Sequence, residues 1–274
     1  MSAGTLEMIR RHPPIRVAAW TLIAATACVQ TAFPLTGGGN LALTVASVLL
    51  LSAAMLVDVA SVYGLRGAAL LFVVAGGGGL IAETVGVHTG FPFGEYSYTG
   101  NLGLELLGVP VLVPLAWIMM AWPALVVARR LVGTGWRAPV VGAFALTAWD
   151  VFLDPQMVDA GYWVWRYPTP AIPGVDGIPI TNFLGWLLVA FLMLTVLNVV
   201  LTRPSENATF VIPISVYLWT YVTSVVANVF FWGHPPVALV GGIIMGLIAV
   251  PLAISLIREQ RTPEQRADDA TSHR

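Results

Sequence analysis

The chain has 274 residues, of which 57% are hydrophobic and only 10% charged, with a mean hydropathy of +0.82 and a formal net charge of −1. A soluble domain carries about 25% charged residues, so this composition excludes one and describes a polytopic membrane protein. A lone cysteine, Cys28, excludes an intramolecular disulfide framework.

In chain order, Arg10, Arg11 and Arg16 precede an apolar run at 17–36. Signal peptides share this shape, but the run is long enough to span and further spans follow, which predicts a retained first helix. Further runs that cross a hydrocarbon core of about 30 Å lie at 41–63, 68–87, 106–128, 182–201, 210–231 and 236–257. A shorter one, 139–154, is counted as spanning because the charge pattern requires it. With eight crossings and both termini cytoplasmic, every arginine but Arg166 falls on the inner side, and there is no lysine. The expected architecture is therefore an all-α, multi-pass bundle of about eight helices in the cell membrane. Residues 1–257 form a single transmembrane domain, and 258–274 a polar cytoplasmic tail that reads as disordered.

Two outer segments, 88–105 and 155–181, are longer than connections need and rich in Gly, Pro, Tyr and Trp. The interfacial belt accounts for Tyr96, Tyr98, Trp163 and Trp165 as well as a site does. Carboxylates inside a span are costly, and hence functional or paired. At 1.5 Å per residue, Glu83 lies about 25 Å from Arg66, and Asp150 and Asp154 about 20 and 25 Å from Arg137, so all three reach one outer third. Asp150 and Asp154 share a helical face, and Pro155 predicts that the helix stops there. Carboxyls this close disfavour double ionisation, so one keeps a proton near neutral pH. The alternative is that these acids pair with Arg166 or cap broken helix ends. Asp58, beside Arg66, reads as a surface ion pair.

Gly76 to Gly79 suit close helix packing or the approach of a flat ligand. Asn182 and Trp186, four apart, open the sixth helix at the level of the acids, whereas Asn228 reads as structural. Metal-ligand spacing, a Walker loop and a nucleophile elbow are absent from the sequence. The arginines follow membrane topology and form no basic domain, so nucleic acid is not an expected partner. The sequon at Asn207 falls on the inner side.

Three linked patterns carry a resemblance: Glu83-x-x-Gly86-x-x-Thr89-Gly90-x-Pro92-Phe93-Gly94-x-Tyr96-x-Tyr98; Asp150-x-x-Leu153-Asp154-Pro155 with Gly161-Tyr-Trp-x-Trp165; and Gly177-Ile-Pro179-x-x-Asn182-Phe-x-Gly-Trp186. Together they resemble the integral-membrane carotenoid hydratases. The likeness runs over about 56–186, and 167–176 departs from the family's pattern, which bears on the end-group accepted. The resemblance implies addition of water to the terminal isopropylidene bond of a lipid-soluble acyclic carotenoid, giving a tertiary alcohol without a cofactor or metal. Water and membrane lipids are then partners, with other carotenoid enzymes as possible neighbours.

Such chemistry needs a neutral carboxylic acid, Asp150 or Asp154, with Glu83 as the second carboxyl. It also needs electron-rich faces for the cation, from Trp149, Trp163, Trp165, Tyr96 and Tyr98. Phe93 and Trp186 complete the expected binding walls, and Asn182, His88 or the second carboxylate would orient water. A proton- or ion-coupled transporter and a non-catalytic carotenoid-binding protein are the competing readings.

Overall fold

The computed structural model describes residues 14–36 and 40–260, and Arg10, Arg11 and most of the expected tail lie outside them. The chain is mainly helical: α1 (Pro14–Leu35), α2 (Leu41–Leu71), a π-helical stretch (Phe72–Gly77), α3 (Gly78–Thr89), α4 (Leu112–Val132), α5 (Arg137–Asp159), α6 (Ile180–Val200), α7 (Val211–Phe230) and α8 (Pro235–Gln260). Helix α8 thus takes up the first three residues assigned to the tail. By length and composition six helices among the described residues suit a membrane span, one of them the 49-residue stretch Leu41–Thr89. Helix α5, carrying three aspartates, is not among the six.

The 49-residue stretch is not straight. At Gly64 the backbone turns to φ 72° and ψ −178°, a conformation open to glycine. Asp58 accepts a bond from Trp122 Nε1 (2.7 Å) and Glu83 one from Trp117 Nε1 (3.2 Å). These indoles lie five residues apart on α4, whereas a straight helix would hold the two acids about 37 Å apart. The chain therefore doubles back at Gly64 into two legs, as the separate apolar runs predict. Asp58 is not the expected surface ion pair. It is 2% exposed and bonded to an indole, because the turn directs it inward against α4.

Helix α4 is the centre of the bundle, with every residue from Trp117 to Ala128 buried. Around it, α8 exposes Leu239, Ile243, Leu247, Val250, Ile254 and Ile257, three or four apart on one face, and α6 exposes Leu184, Leu188, Leu192 and Val196. Such apolar stripes suit lipid as solvent. Arg129 gathers one end of the bundle by bonding Tyr63 Oη (3.0 Å) and the Asn198 side chain (2.9 Å) and carbonyl (3.0 Å).

Two expectations about elements are corrected. Helix α5 does not stop before Pro155 but runs to Asp159. A proline forfeits one backbone bond, and membrane helices tolerate this where neighbours restore order. Here Ala160 N–H to Gln156 O (3.1 Å) and Tyr162 N–H to Met157 O (2.9 Å) close the next turn. The all-α bundle stands as expected, and the second correction lies in its outer segments. The outer segments form three antiparallel ribbons, β1 (Tyr96–Tyr98) with β4 (Trp163–Trp165), β2 (Glu105–Leu106) with β3 (Val109–Pro110), and β5 (Ala171–Ile172) with β6 (Val175–Pro179). The β2–β3 hairpin moves the start of α4 from residue 106 to Leu112.

Candidate active site: a buried chamber of acids and aromatics

The site lies where the first ribbon closes over α3, α5 and α6. Strand β1 pairs with β4 in the register Tyr96↔Trp165, Ser97↔Val164 and Tyr98↔Trp163. Side chains alternate across a strand, so the four aromatic residues share one face and Ser97 and Val164 the other. The aromatic face turns inward, leaving Trp163 and Trp165 9% and 5% exposed against 52% for Val164. The rings interlock, Tyr96 with Trp165 at 5.7 Å and Tyr98 edge-on to Trp163 at 5.8 Å. Trp165 Nε1 donates to Phe93 O (3.1 Å), tying the ribbon to the loop before it. The aromatics at the ends of the spans are thus an internal roof and not an interfacial belt.

Beneath the roof, three donors converge on Glu83, which is 5% exposed. Tyr96 Oη and Tyr98 Oη donate to Oε2 at 2.5 and 2.9 Å, and Trp117 Nε1 donates to Oε1 at 3.2 Å. Burial first, and then the neighbouring Glu83 carboxylate, push both phenols above the usual tyrosine range, so both remain protonated donors. The glycine run explains how Trp117 reaches the acid. A Cβ on Gly79 would stand 2.6 Å from the Trp117 ring, and one on Gly76 2.9 Å from Ile118. Bare backbone lets the indole lie against α3 one turn below Glu83. This is the close packing expected of these residues.

Across the chamber, Asp150 and Asp154 sit one turn apart on α5, 0% and 2% exposed. Asn182, in the first turn of α6, donates its amide to Asp150 Oδ2 (2.9 Å) and to Asp154 Oδ2. Asp150 Oδ1 is buried with no hydrogen-bond partner. Arg166 does not neutralise these acids. It bonds Glu95 (3.2 Å) on the exposed rim. One turn beyond Asn182, Trp186 stacks on Trp117 at 4.0 Å and 13° and meets Trp149 edge-on at 6.2 Å.

These groups enclose a cavity of about 70 Å³ walled by Glu83, Asp154, Asn182, Phe93, Tyr96, Tyr98, Trp117, Trp163, Trp165 and Trp186, with aliphatic residues between. Three residues of the expected set lie off this wall. Asp150 stands behind Asn182, Trp149 faces a neighbouring cavity, and His88 is exposed in an outer depression with its Nδ1 2.8 Å from Thr84 O. Trp117 is absent from the set drawn from the sequence, although it bonds an acid and stacks on a wall residue. A tryptophan deep in an apolar span needs a partner for its N–H, and that need is the one signal the sequence offers. Among the described residues no cluster of His, Cys, Asp and Glu is arranged to hold a metal ion.

Fold and site together define a helical membrane protein with a buried, acid-bearing aromatic chamber near one face of its bundle. The family described as carotenoid biosynthesis protein matches residues 41–249, and the chain belongs to it. Bisanhydrobacterioruberin hydratase of Haloarcula japonica is 34% identical over 111 residues, which cover 39% of this chain and 36% of that protein. The chain thus aligns with about a third of that relative's length. No solved structure matches.

Proposed function

We propose that the protein is a carotenoid hydratase, adding water to the terminal isopropylidene double bond of an acyclic carotenoid. The observation that carries this reading is the pairing of a buried Asp–Asn–Asp cluster with a three-donor Glu inside one aromatic cavity. The named activity of the Haloarcula relative supports it.

In the mechanism, the Asp154 carboxyl protonates the less substituted alkene carbon and the π electrons form the new C–H bond. The positive charge falls on the tertiary carbon, facing the rings of Trp163, Trp165 and Trp186. Each cation–π contact in a dry site contributes about 2 kcal/mol. A water oxygen then bonds to that carbon and its proton passes to Glu83, whose three hydrogen bonds suit it to accept. Release of that proton from Glu83 and its return through solvent to Asp154 restore both carboxyls, and the sum consumes one alkene and one water. The mechanism requires Asp154 to be protonated when the substrate docks. Asn182 and Asp150 behind it hold the carboxyl in place, so Asp154 becomes the acid and Asp150 a positioning group.

The same reading takes eight crossings, with the two legs of Leu41–Thr89 and the acid-bearing α5 all spanning the cell membrane. Both termini then lie on the cytoplasmic, arginine-rich side, and the chamber near the outer face. The test is expression in cells that make lycopene or a related acyclic carotenoid. Products heavier by one or two waters, with oxygen drawn from labelled water and not from dioxygen, are expected. Unchanged pigments across several acyclic substrates would refute the proposal.

A further inference from the structure

The geometry points to a second binding site, the cleft between α1 and α7, as the berth of the substrate's hydrocarbon chain. This rests on reading the chamber as an isoprenoid end-group site. The chamber, at about 70 Å³, is smaller than the roughly 150 Å³ that accommodates a benzene ring in an engineered core, so it takes a chain end and no more. The rest of a long molecule must lie in something continuous with it.

A cavity of about 290 Å³ meets that condition. Thr44, Val48, Met119, Leu153 and Met157 wall both it and the chamber. It extends from Thr220 on α7 to Phe231 at the cap of that helix, about 16 Å at 1.5 Å per residue. Several of its polar side chains are satisfied within the protein. Gln30 donates to Ser47 Oγ (3.1 Å) and accepts from Trp219 Nε1 (2.8 Å). Thr31, Thr44 and Thr223 donate back to carbonyls of their own helices or caps. With their polar groups so engaged, these residues line the cleft alongside Phe33, Trp149 and Trp232, the last with a buried indole N–H that has no partner among the described residues. At the mouth, Leu35, Val226 and Phe231 are 70%, 40% and 47% exposed, on the flank a bilayer would cover.

The chamber's other neighbour has the opposite character. It shares only Tyr96 and Trp165 with the chamber and is edged by His88, Glu95 and Arg166, so it suits water and not a polyene. A long apolar chain therefore slides in from lipid between α1 and α7, while water approaches through the roof.

The experiment narrows the cleft with Ala227→Phe, a buried position on its wall. Turnover is compared on a long acyclic carotenoid and on a short acyclic isoprenoid with the same terminal group. The long-to-short ratio is expected to fall about tenfold or more, since several methylenes lose their buried surface. An unchanged ratio with hydration intact overturns the proposal. Pigment retained by purified Asp154→Asn protein, with and without Ala227→Phe, gives a readout that needs no turnover. If no form hydrates anything yet Ala227→Phe removes the bound carotenoid, the cleft stands and the hydratase reading falls. If the pigment is retained equally, the cleft falls. Should Ala227→Phe yield no folded protein, Thr223→Phe at the half-buried rim carries both measurements with the same outcomes.

Discussion

Replacing each aspartate of the pair by asparagine separates two roles that the sequence leaves joined. Asp154 lines the cavity and Asp150 does not, although one amide, that of Asn182, holds both. In Asp154→Asn the shape persists but the transferable proton is gone. General acids contribute about 10²–10⁴-fold, so turnover is expected to fall by that factor, about 3–5 kcal/mol in barrier. In Asp150→Asn a carbonyl can still accept the 2.9 Å bond from Asn182, and the loss is confined to one interaction with a charged or shared-proton group. That amounts to about 1.5–3 kcal/mol, or a fall of about 10–100-fold. The assay is the initial rate of hydrated product in membranes supplied with an acyclic carotenoid, normalised to folded protein by size exclusion in detergent. Near-normal activity in Asp154→Asn with none in Asp150→Asn would reverse the assignment, and activity in both would remove the pair from the mechanism.

Three further outcomes follow from the same geometry. Tyr98→Phe deletes the 2.9 Å bond to Glu83 and should lower turnover about tenfold or more, with Tyr96→Phe acting alike; rates equal to wild type would show that Glu83 needs neither donor. Asp58→Asn, whose carboxylate accepts from Trp122 far along α4, should leave turnover unchanged and alter melting by a few degrees at most, and a loss of turnover in folded protein would contradict its structural role. Because Tyr96 and Tyr98 keep their protons in the folded chain beyond the usual value near 10, the contribution of these two phenols to stability should be level below about pH 10 and decline above it as the unfolded chain releases protons the folded one holds. No lysine titrates in that window, so the Tyr96→Phe/Tyr98→Phe chain should show a shallower decline in melting temperature, and an equal slope would contradict the burial of the phenols.

Much of the site is legible in the sequence because polarity is rare there. Glu83, Asp150 and Asp154 stand out of apolar runs, helical rise places them at one depth, and the spacing of Asn182 from Trp186 marks the facing helix. What the sequence does not contain is partnership. That Tyr96 and Tyr98 bond Glu83 depends on the β1–β4 pairing across more than sixty residues of chain. That Asp58 turns inward depends on the reversal at Gly64, and that Trp117 joins the site depends on a bare glycine face on another leg. Period and hydropathy describe one element at a time, whereas these contacts are made between elements. Pro155 misleads for a related reason, since local propensity marks a helix end and the surrounding packing overrides it.

The placement of the roof itself depends on two glycines. Phe93 lies between α3 and α6: a Cβ on Gly86 would stand 2.8 Å from its ring and 2.8 Å from Tyr96 Oη, and one on Gly185 2.7 Å from its ring and 2.7 Å from Pro92 O. The two substitutions therefore differ in kind. In Gly86→Ala the obstructed atoms belong to side chains, so Phe93 and Tyr96 yield by rotation and the Tyr96 bond to Glu83 is lost; activity should fall as in Tyr96→Phe, with little change in melting. In Gly185→Ala the obstacle includes a backbone carbonyl, which no rotamer relieves, so the loop carrying the roof must move. Overpacking of this sort costs about 1–3 kcal/mol, and both melting temperature and turnover should drop. Adding Phe93→Leu to Gly185→Ala should not restore either, because the carbonyl remains. Full rescue by that second substitution would show that side-chain crowding, and not the backbone contact between α6 and the loop, fixes the roof over the acids.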